Sequence, residues 1–327
     1  MDFNQIIGHE KQINSLKNAI DNNSVSHSYL FEGEEGLGKR KVALAFSKTL
    51  LCKEEKNVPC NTCSSCIKFD KGNHPDFKEL SPEKGLINLK QVEELISSVS
   101  TSPFESKRKI FLIDDSDLMN LEGKNKLLKT LEEPPEFMNI ILVTCKTNRL
   151  LPTIVSRCQG IKFYPVESSR IRELLIKEYS MDEESSKFIA EFTKGSVGKS
   201  IELATSQDFF KERDEVIKII DSILKGDKTK ALSSIDFFTS NKENIDEILD
   251  IILYWFRDIL IYKELGESSL ILNKDKIEIL SSQSFLDLSK INDIIYRIEE
   301  TKANIKSNVN FGLSIETMLL NIREETR

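Results

Sequence analysis

The chain has 327 residues, 39% apolar and 30% charged, with six cysteines and a formal net charge of −7. That length exceeds what one hydrophobic core serves and predicts two or three domains, and the composition excludes a disordered chain. The acidic balance excludes indiscriminate polyanion binding over the whole surface, so any contact with DNA must be local.

The opening Met1-Asp2-Phe3-Asn4 lacks the basic and apolar regions of a secretory signal. The longest apolar run, Ile251 to Phe256, is flanked by Asp250, Arg257 and Asp258 and is too short to span a bilayer. A cytoplasmic protein without a membrane partner is expected. From Gln5 to Ile20 the apolar positions Ile6, Ile7, Ile13, Leu16 and Ile20 predict a helix, closed by the turn formers Asp21-Asn22-Asn23-Ser24. Ser28-Tyr29-Leu30-Phe31 reads as a buried strand. It runs into Gly33-Glu34-Glu35-Gly36-Leu37-Gly38-Lys39-Arg40, and Val42, Ala45, Phe46 and Leu50 continue at helical spacing.

A G-x-x-x-x-G-K pattern between strand and helix is a phosphate loop. Gly33, Gly36 and Gly38 let backbone N–H groups curl around phosphate oxygens at a helix N-terminus, and Lys39 reaches the terminal phosphates. The next position normally supplies a hydroxyl to magnesium, and here it is Arg40, which has no acceptor atom and is always charged. ATP hydrolysis by this chain is therefore not expected, and nucleotide binding stays open.

Cys52, Cys60, Cys63 and Cys66 follow as C-x7-C-x2-C-x2-C. Two C-x-x-C steps sharing Cys63, with one more distant thiol, suit a closed four-thiolate zinc site, structural rather than catalytic. Further along, Asn88 and Gln91 form a capping-box pattern for a helix with Leu89, Val92, Leu95, Ile96 and Val99 on its apolar face. A second strand, Ile110 to Ile113, ends in Asp114-Asp115. Asp114 is the acidic residue expected to assist with magnesium, and Asp115 is one methylene shorter than the glutamate that normally polarises water. A helix through Leu127, Leu128 and Leu131 stops at Pro134-Pro135, and Ile140 to Thr144 is a third strand. The alternation up to Tyr164 predicts an open parallel sheet with helices on both faces, an α/β class. Beyond Pro165 short helices broken at Gly195 and Gly198 are expected, then an all-helical segment that includes 245–260. Cys145 and Cys158 read as small core residues, and His9, His27 and His74 as structural.

His27 to Gly33, the four cysteines, Asn73-His74-Pro75-Asp76, Leu127 to Pro135 with its Leu-Glu-Glu-Pro-Pro, and Ser156-Arg157-Cys158 together resemble the delta prime family of bacterial DNA polymerase III clamp-loader subunits, which are AAA+ proteins. The resemblance covers 27–158, with weaker similarity in the C-terminal helices. It implies a RecA-like AAA+ domain over 1–165 with the zinc module inserted at 52–66, a helical lid over 166–207, and an all-α collar over 208–327. It also implies a pentameric ring with delta and gamma/tau subunits that opens the sliding clamp and places it on primer-template DNA. In that family delta prime does not hydrolyse ATP, and Arg157 projects in trans toward ATP held by a neighbour. The segment around Arg157 follows the strand ending at Thr144, so it is expected just past the C-terminal edge of the sheet. Thr144 falls at the family's first sensor, and Lys199 near the second, which is an arginine in motor subunits. The rival within the family, a gamma/tau-type motor, would carry a complete Gly-Lys-Thr or Gly-Lys-Ser loop, as would a free-standing ATP-dependent motor. A zinc-dependent nucleic-acid binder would need a basic surface.

Overall fold

The structure, a computed structural model, describes residues 2–226, 233–307 and 309–324. It divides into two compact units, Met1–Ala204 and Thr205–Arg327. The first is built on strands β1 (Ser28–Glu32), β2 (Phe77–Leu80), β3 (Lys109–Ile113), β4 (Met138–Thr144) and β5 (Gln159–Lys162), in the order β2-β3-β4-β1-β5. Every neighbouring pair is parallel. The three inner strands are almost uninterrupted apolar runs because both of their faces are covered. Alternate side chains serve opposite layers. Tyr29, Phe31, Ile110, Leu112, Ile141 and Val143 enter one core with Phe46, while Leu30, Phe111, Ile113, Ile140 and Leu142 enter the other with Leu127.

Helices α1 (Glu10–Asp21), α2 (Lys39–Leu51), α3 (Ser64–Asp70), α4 (Leu89–Ser97), α5 (Leu121–Glu132) and α6 (Pro152–Val155) connect the strands. The box at Asn88 forms as expected, with reciprocal bonds between Asn88 and Gln91. The first helix does not begin at Gln5. Gly8 (φ 75°) and His9 (φ 63°) are both left-handed, so the chain turns there, and Ile6 and Ile7 lie outside a helix that starts at Glu10. After β5 come α7 (Ser168–Tyr179), α8 (Glu183–Phe192) and α9 (Val197–Thr205). The chain breaks at Gly195, but Gly198 lies inside α9 and does not interrupt it.

Among the described residues of the second unit the regular elements are helices: α10 (Phe209–Leu224), α11 (Ile235–Ser240), α12 (Ile245–Leu265), α13 (Ile277–Ser282), α14 (Leu288–Lys306) and α15 (Phe311–Glu324). The central α12 is longer than the apolar stretch alone indicates and packs against α10, α13 and α14. Trp255 is fully enclosed, and its indole N–H donates to Gln283 Oε1 at 2.8 Å, which satisfies its one polar atom. Among the described residues, no helix is long and apolar enough to cross a membrane.

Candidate functional site

The segment Gly33–Lys39 leaves the C-terminal end of β1, and Gly38, left-handed at φ 91°, is the N-cap of α2. Lys39 is buried. Its Nζ donates to the carbonyls of Gly33 (2.7 Å) and Glu34 (2.5 Å) and lies 3.4 Å from Cys145 Sγ. Cys145, expected in the core, therefore belongs to the wall of this loop, because it is the first residue past β4. The next two carbonyls are engaged by the segment that opens α9: Ser196 Oγ donates to Glu35 O at 3.2 Å and the Gly198 N–H to Gly36 O at 2.7 Å. Four consecutive carbonyls, 33 to 36, thus accept hydrogen bonds from the chain's own donors. The approach is close enough that a Cβ on Gly36 would stand 2.1 Å from Ser196 Oγ, and one on Gly198 3.0 Å from Gly36 Cα.

Arg40 is half-exposed, with its Nε 2.6 Å from Glu79 Oε1 and 3.4 Å from Asp114 Oδ2. Its guanidinium rests against the carboxylate that a magnesium ion would share. Burial, then repulsion from Asp115, raises the Asp114 carboxyl above its ordinary range, while Arg40 opposes both. Burial and neighbouring acids also raise Asp115, whose backbone is left-handed at φ 44°. Thr144 is enclosed and donates to Asp117 Oδ1 at 2.7 Å. The backbone N–H of Lys199 meets Ser196 Oγ at 3.4 Å. Gly36, Lys39, Arg40, Asp114, Asp115 and Cys145 line a cavity of about 250 Å³. The residues expected to form the phosphate site are thus together, but the loop is closed on itself and against α9.

The cysteine module lies between α2 and β2. The four Sγ atoms of Cys52, Cys60, Cys63 and Cys66 all lie within 4.8 Å of one another, and Cys60 and Cys66 are 4.0 Å apart. A tetrahedral ion at about 2.3 Å from each sulfur needs thiolates roughly 3.8 Å apart, so the donor set fits zinc. Backbone N–H groups already point at sulfur, from Cys60 to Cys52, Cys63 to Cys60 and Cys66 to Cys63, at 3.3 to 3.4 Å. Those of Thr62 and Cys63 draw the Cys60 thiol down to about 6, whereas burial pushes Cys66 up.

His74 anchors the module. Ser65 Oγ donates to Leu51 O at 2.6 Å, so at 2.9 Å it accepts from His74 Nε2, while Nδ1 accepts from the Asp76 N–H at 3.1 Å. Those partners define a neutral Nε2–H tautomer, and burial, the largest influence, lowers the His74 pKa as that requires. Asp76 in turn accepts the N–H groups of Phe104, Glu105 and Ser106. The Asn73-His74-Pro75-Asp76 element is therefore a brace between α3 and the turn before β3.

Arg157 is elsewhere. It lies two residues before β5, and its carbonyl accepts from Ser28 Oγ at 2.6 Å, at the start of β1. It therefore sits at the N-terminal edge of the sheet, opposite the phosphate loop, and not past the C-terminal edge as its distance from Thr144 indicated. The short α6 carries the chain back across the sheet. The guanidinium donates through Nη1 to Thr153 O at 2.9 Å and pairs through Nη2 with Glu132 Oε1 at 3.0 Å.

Residues 8–167 match a family described as DNA polymerase III, delta subunit, and residues 207–324 match its C-terminal counterpart. DNA polymerase III subunit delta' of Bacillus subtilis is 31% identical over 94% of this chain and 94% of its own length. The chain belongs to the delta prime family of DNA polymerase III clamp-loader subunits. The tau subunit of B. subtilis is similar at a lower level, 26% identical over 88% of this chain, and this chain spans only 54% of it. A solved gamma subunit-related protein of Thermotoga maritima overlaps 97% of this chain and 100% of its own at a TM-score of 0.43 and 19% identity. Sequence reasoning missed Glu79, because its edge strand alternates Phe77-Lys78-Glu79-Leu80 without a continuous apolar run. Gly198 reads from sequence as a helix breaker and Ser196 carries no signal, and nothing local shows that they meet the phosphate loop.

Proposed function

We propose that this chain is the non-hydrolysing member of a ring that loads the sliding clamp onto primer-template DNA, and that it acts on ATP only through Arg157, in trans. The observation that carries the first half is the position of Arg40. A guanidinium held by Glu79 and Asp114 takes the electrostatic place of the divalent ion, and it cannot coordinate and bridge the β- and γ-phosphate oxygens as a bound metal does. The engagement of Lys39 Nζ by the Gly33 and Glu34 carbonyls and an α9 segment packed on Gly36 support the same reading.

The second half rests on polarity. The phosphate loop and Arg157 lie at opposite ends of one parallel sheet, so a head-to-tail arrangement of similar subunits brings the Arg157 edge of one to the loop edge of the next. A guanidinium suits that role because it stays charged and offers forked donors that match phosphate oxygens. In GTPases a finger supplied in trans contributes roughly 10³ to 10⁵ in rate. A ring with several ATP sites would lose less when one finger is removed. Delta and gamma/tau subunits are the partners this reading requires, and the helical unit from Thr205 onward is the segment through which they assemble.

Zinc is the ion that Cys52, Cys60, Cys63 and Cys66 would hold in a reducing cytoplasm, where disulfides are disfavoured. It would supply cross-linking of the loop between α2 and β2, with no catalytic part. The test is DNA- and clamp-stimulated ATP hydrolysis by the reconstituted complex carrying Arg157→Ala or Arg157→Lys, with assembly measured beside it. Slow hydrolysis in a normally assembled ring is expected. Wild-type rates for both variants would limit this chain to a structural role.

A further inference from the structure

Arg157 is held by more than its own backbone. Its N–H donates to Ile154 O (3.1 Å) and its carbonyl accepts from the buried Ser28, which fixes the Cα, while the side chain is anchored twice from different elements. Thr153 O in α6 takes Nη1, and Glu132 Oε1 at the end of α5 takes Nη2. Nε–H has no partner among the described residues. Glu132 is itself in an unfavourable place: it is the last residue of α5, where the negative end of the helix dipole disfavours a carboxylate, and the neighbouring C-cap is Glu133. A compensating cation is what that position calls for, and Arg157 provides it.

We propose that Glu132 is a positioning residue for Arg157, presetting the guanidinium at the N-terminal edge of the sheet so that its free donors face outward toward a phosphate on the adjoining subunit. This rests on the trans role of Arg157 given above. An unanchored arginine loses much rotamer freedom when it engages a phosphate. One already held by Thr153 O and Glu132 has lost it beforehand, so the benefit falls on the rate of the chemical step rather than on ATP affinity. The two side chains are 36% and 45% exposed, so solvent and salt weaken the pair and the effect is modest.

The experiment uses the whole reconstituted complex with clamp and primed DNA. Glu132→Ala is expected to lower kcat about two- to fivefold with KM for ATP unchanged, and Glu132→Gln, which keeps an acceptor oxygen, to recover most of the loss. The ratio of wild-type to Glu132→Ala rates should shrink as salt is raised from about 0.05 to 0.5 M, which a purely structural defect would not do. In an Arg157→Ala background, Glu132→Ala should have no further effect. If Arg157→Ala is slow while Glu132→Ala matches wild type, the finger stands and the positioning role is overturned. An equal loss from Glu132→Ala with and without Arg157 places its action elsewhere and also overturns it. Wild-type turnover by Arg157→Ala removes both readings together.

Discussion

Gly198→Ala sets two effects of opposite sign against each other. Gly198 lies in α9 with an ordinary helical backbone, so helix propensity alone favours alanine by up to about 1 kcal/mol. Against that, the new Cβ would stand 3.0 Å from Gly36 Cα and 3.1 Å from Gly36 O. Those neighbours are backbone, and the Gly198 N–H···O bond at 2.7 Å prevents them from retreating without breaking it. Overpacking of this kind costs about 1–3 kcal/mol, and a lost hydrogen bond about 1 kcal/mol. The net expectation is a loss of about 1–2 kcal/mol. For a unit of this size that lowers the midpoint of its thermal transition by roughly 2–8 °C. The assay is thermal unfolding followed by calorimetry, with amide exchange across 33–40 as the local probe. Gly160→Ala is the control, since a Cβ there meets nothing within 4 Å and should change stability by less than about 0.5 kcal/mol. A raised midpoint for Gly198→Ala, with exchange at Gly36 to Lys39 unaltered, would show that α9 does not clasp the phosphate loop.

The isolated chain should release no phosphate from ATP above background, and Arg40→Thr alone should not restore turnover fully, because Asp115 and Lys199 remain; magnesium-dependent hydrolysis by the wild-type chain contradicts this. Freshly purified protein should contain about one equivalent of zinc, and chelation should expose 52–66 to protease without unfolding the large sheet core; less than about half an equivalent, with four titratable thiols in the folded chain, refutes the site. Burial holds the folded His74 pKa below the ordinary 6.5, against the opposing pull of the Glu105 carboxylate 3.5 Å from Nε2. The unfolded chain therefore binds the extra proton, and stability should be full above pH 6.5 and fall as pH drops below it. In His74→Gln that slope should flatten, as read from midpoints between about pH 5 and 7. A chain ending near residue 208 should fail to enter the complex, and normal assembly by gel filtration counts against a collar.

Strong local chemistry was readable without coordinates. The buried strands β1, β3 and β4 announce themselves because both faces are covered, which leaves no polar alternation to blur the pattern. The phosphate loop and the cysteine spacing are covalent facts of order along the chain, and their residues converge as expected. What escaped is non-local. β2 and β5 are edge strands with Lys78, Glu79, Gln159 and Lys162, whose polarity suits a solvent-facing edge and resembles a loop. The start of α1 was misjudged because Ile6 and Ile7 match helical spacing, while the left-handed pair at Gly8 and His9 decides the turn. Cys145 looks like any small core residue until β4 delivers it to Lys39.

The placement of Arg157 shows why direction along a parallel sheet outweighs distance along the chain. Each strand exits at the same end, so a residue soon after β4 and another soon before β5 belong to opposite edges even though a short segment joins them. Ser28 Oγ bonded to Arg157 O fixes the matter: Ser28 begins β1, and the phosphate loop begins where β1 ends. The same polarity separates the two chemistries of this chain. At the C-terminal edge the half-exposed Arg40 is paired through Nε with Glu79 and Asp114 of its own fold. At the N-terminal edge Arg157 is anchored to Glu132 on one side and left with free donors on the other. Arg40 is paired with two acids of its own fold and Arg157 with one. The proposed division between self-closure and action in trans therefore rests on the environment of each arginine rather than on its residue type.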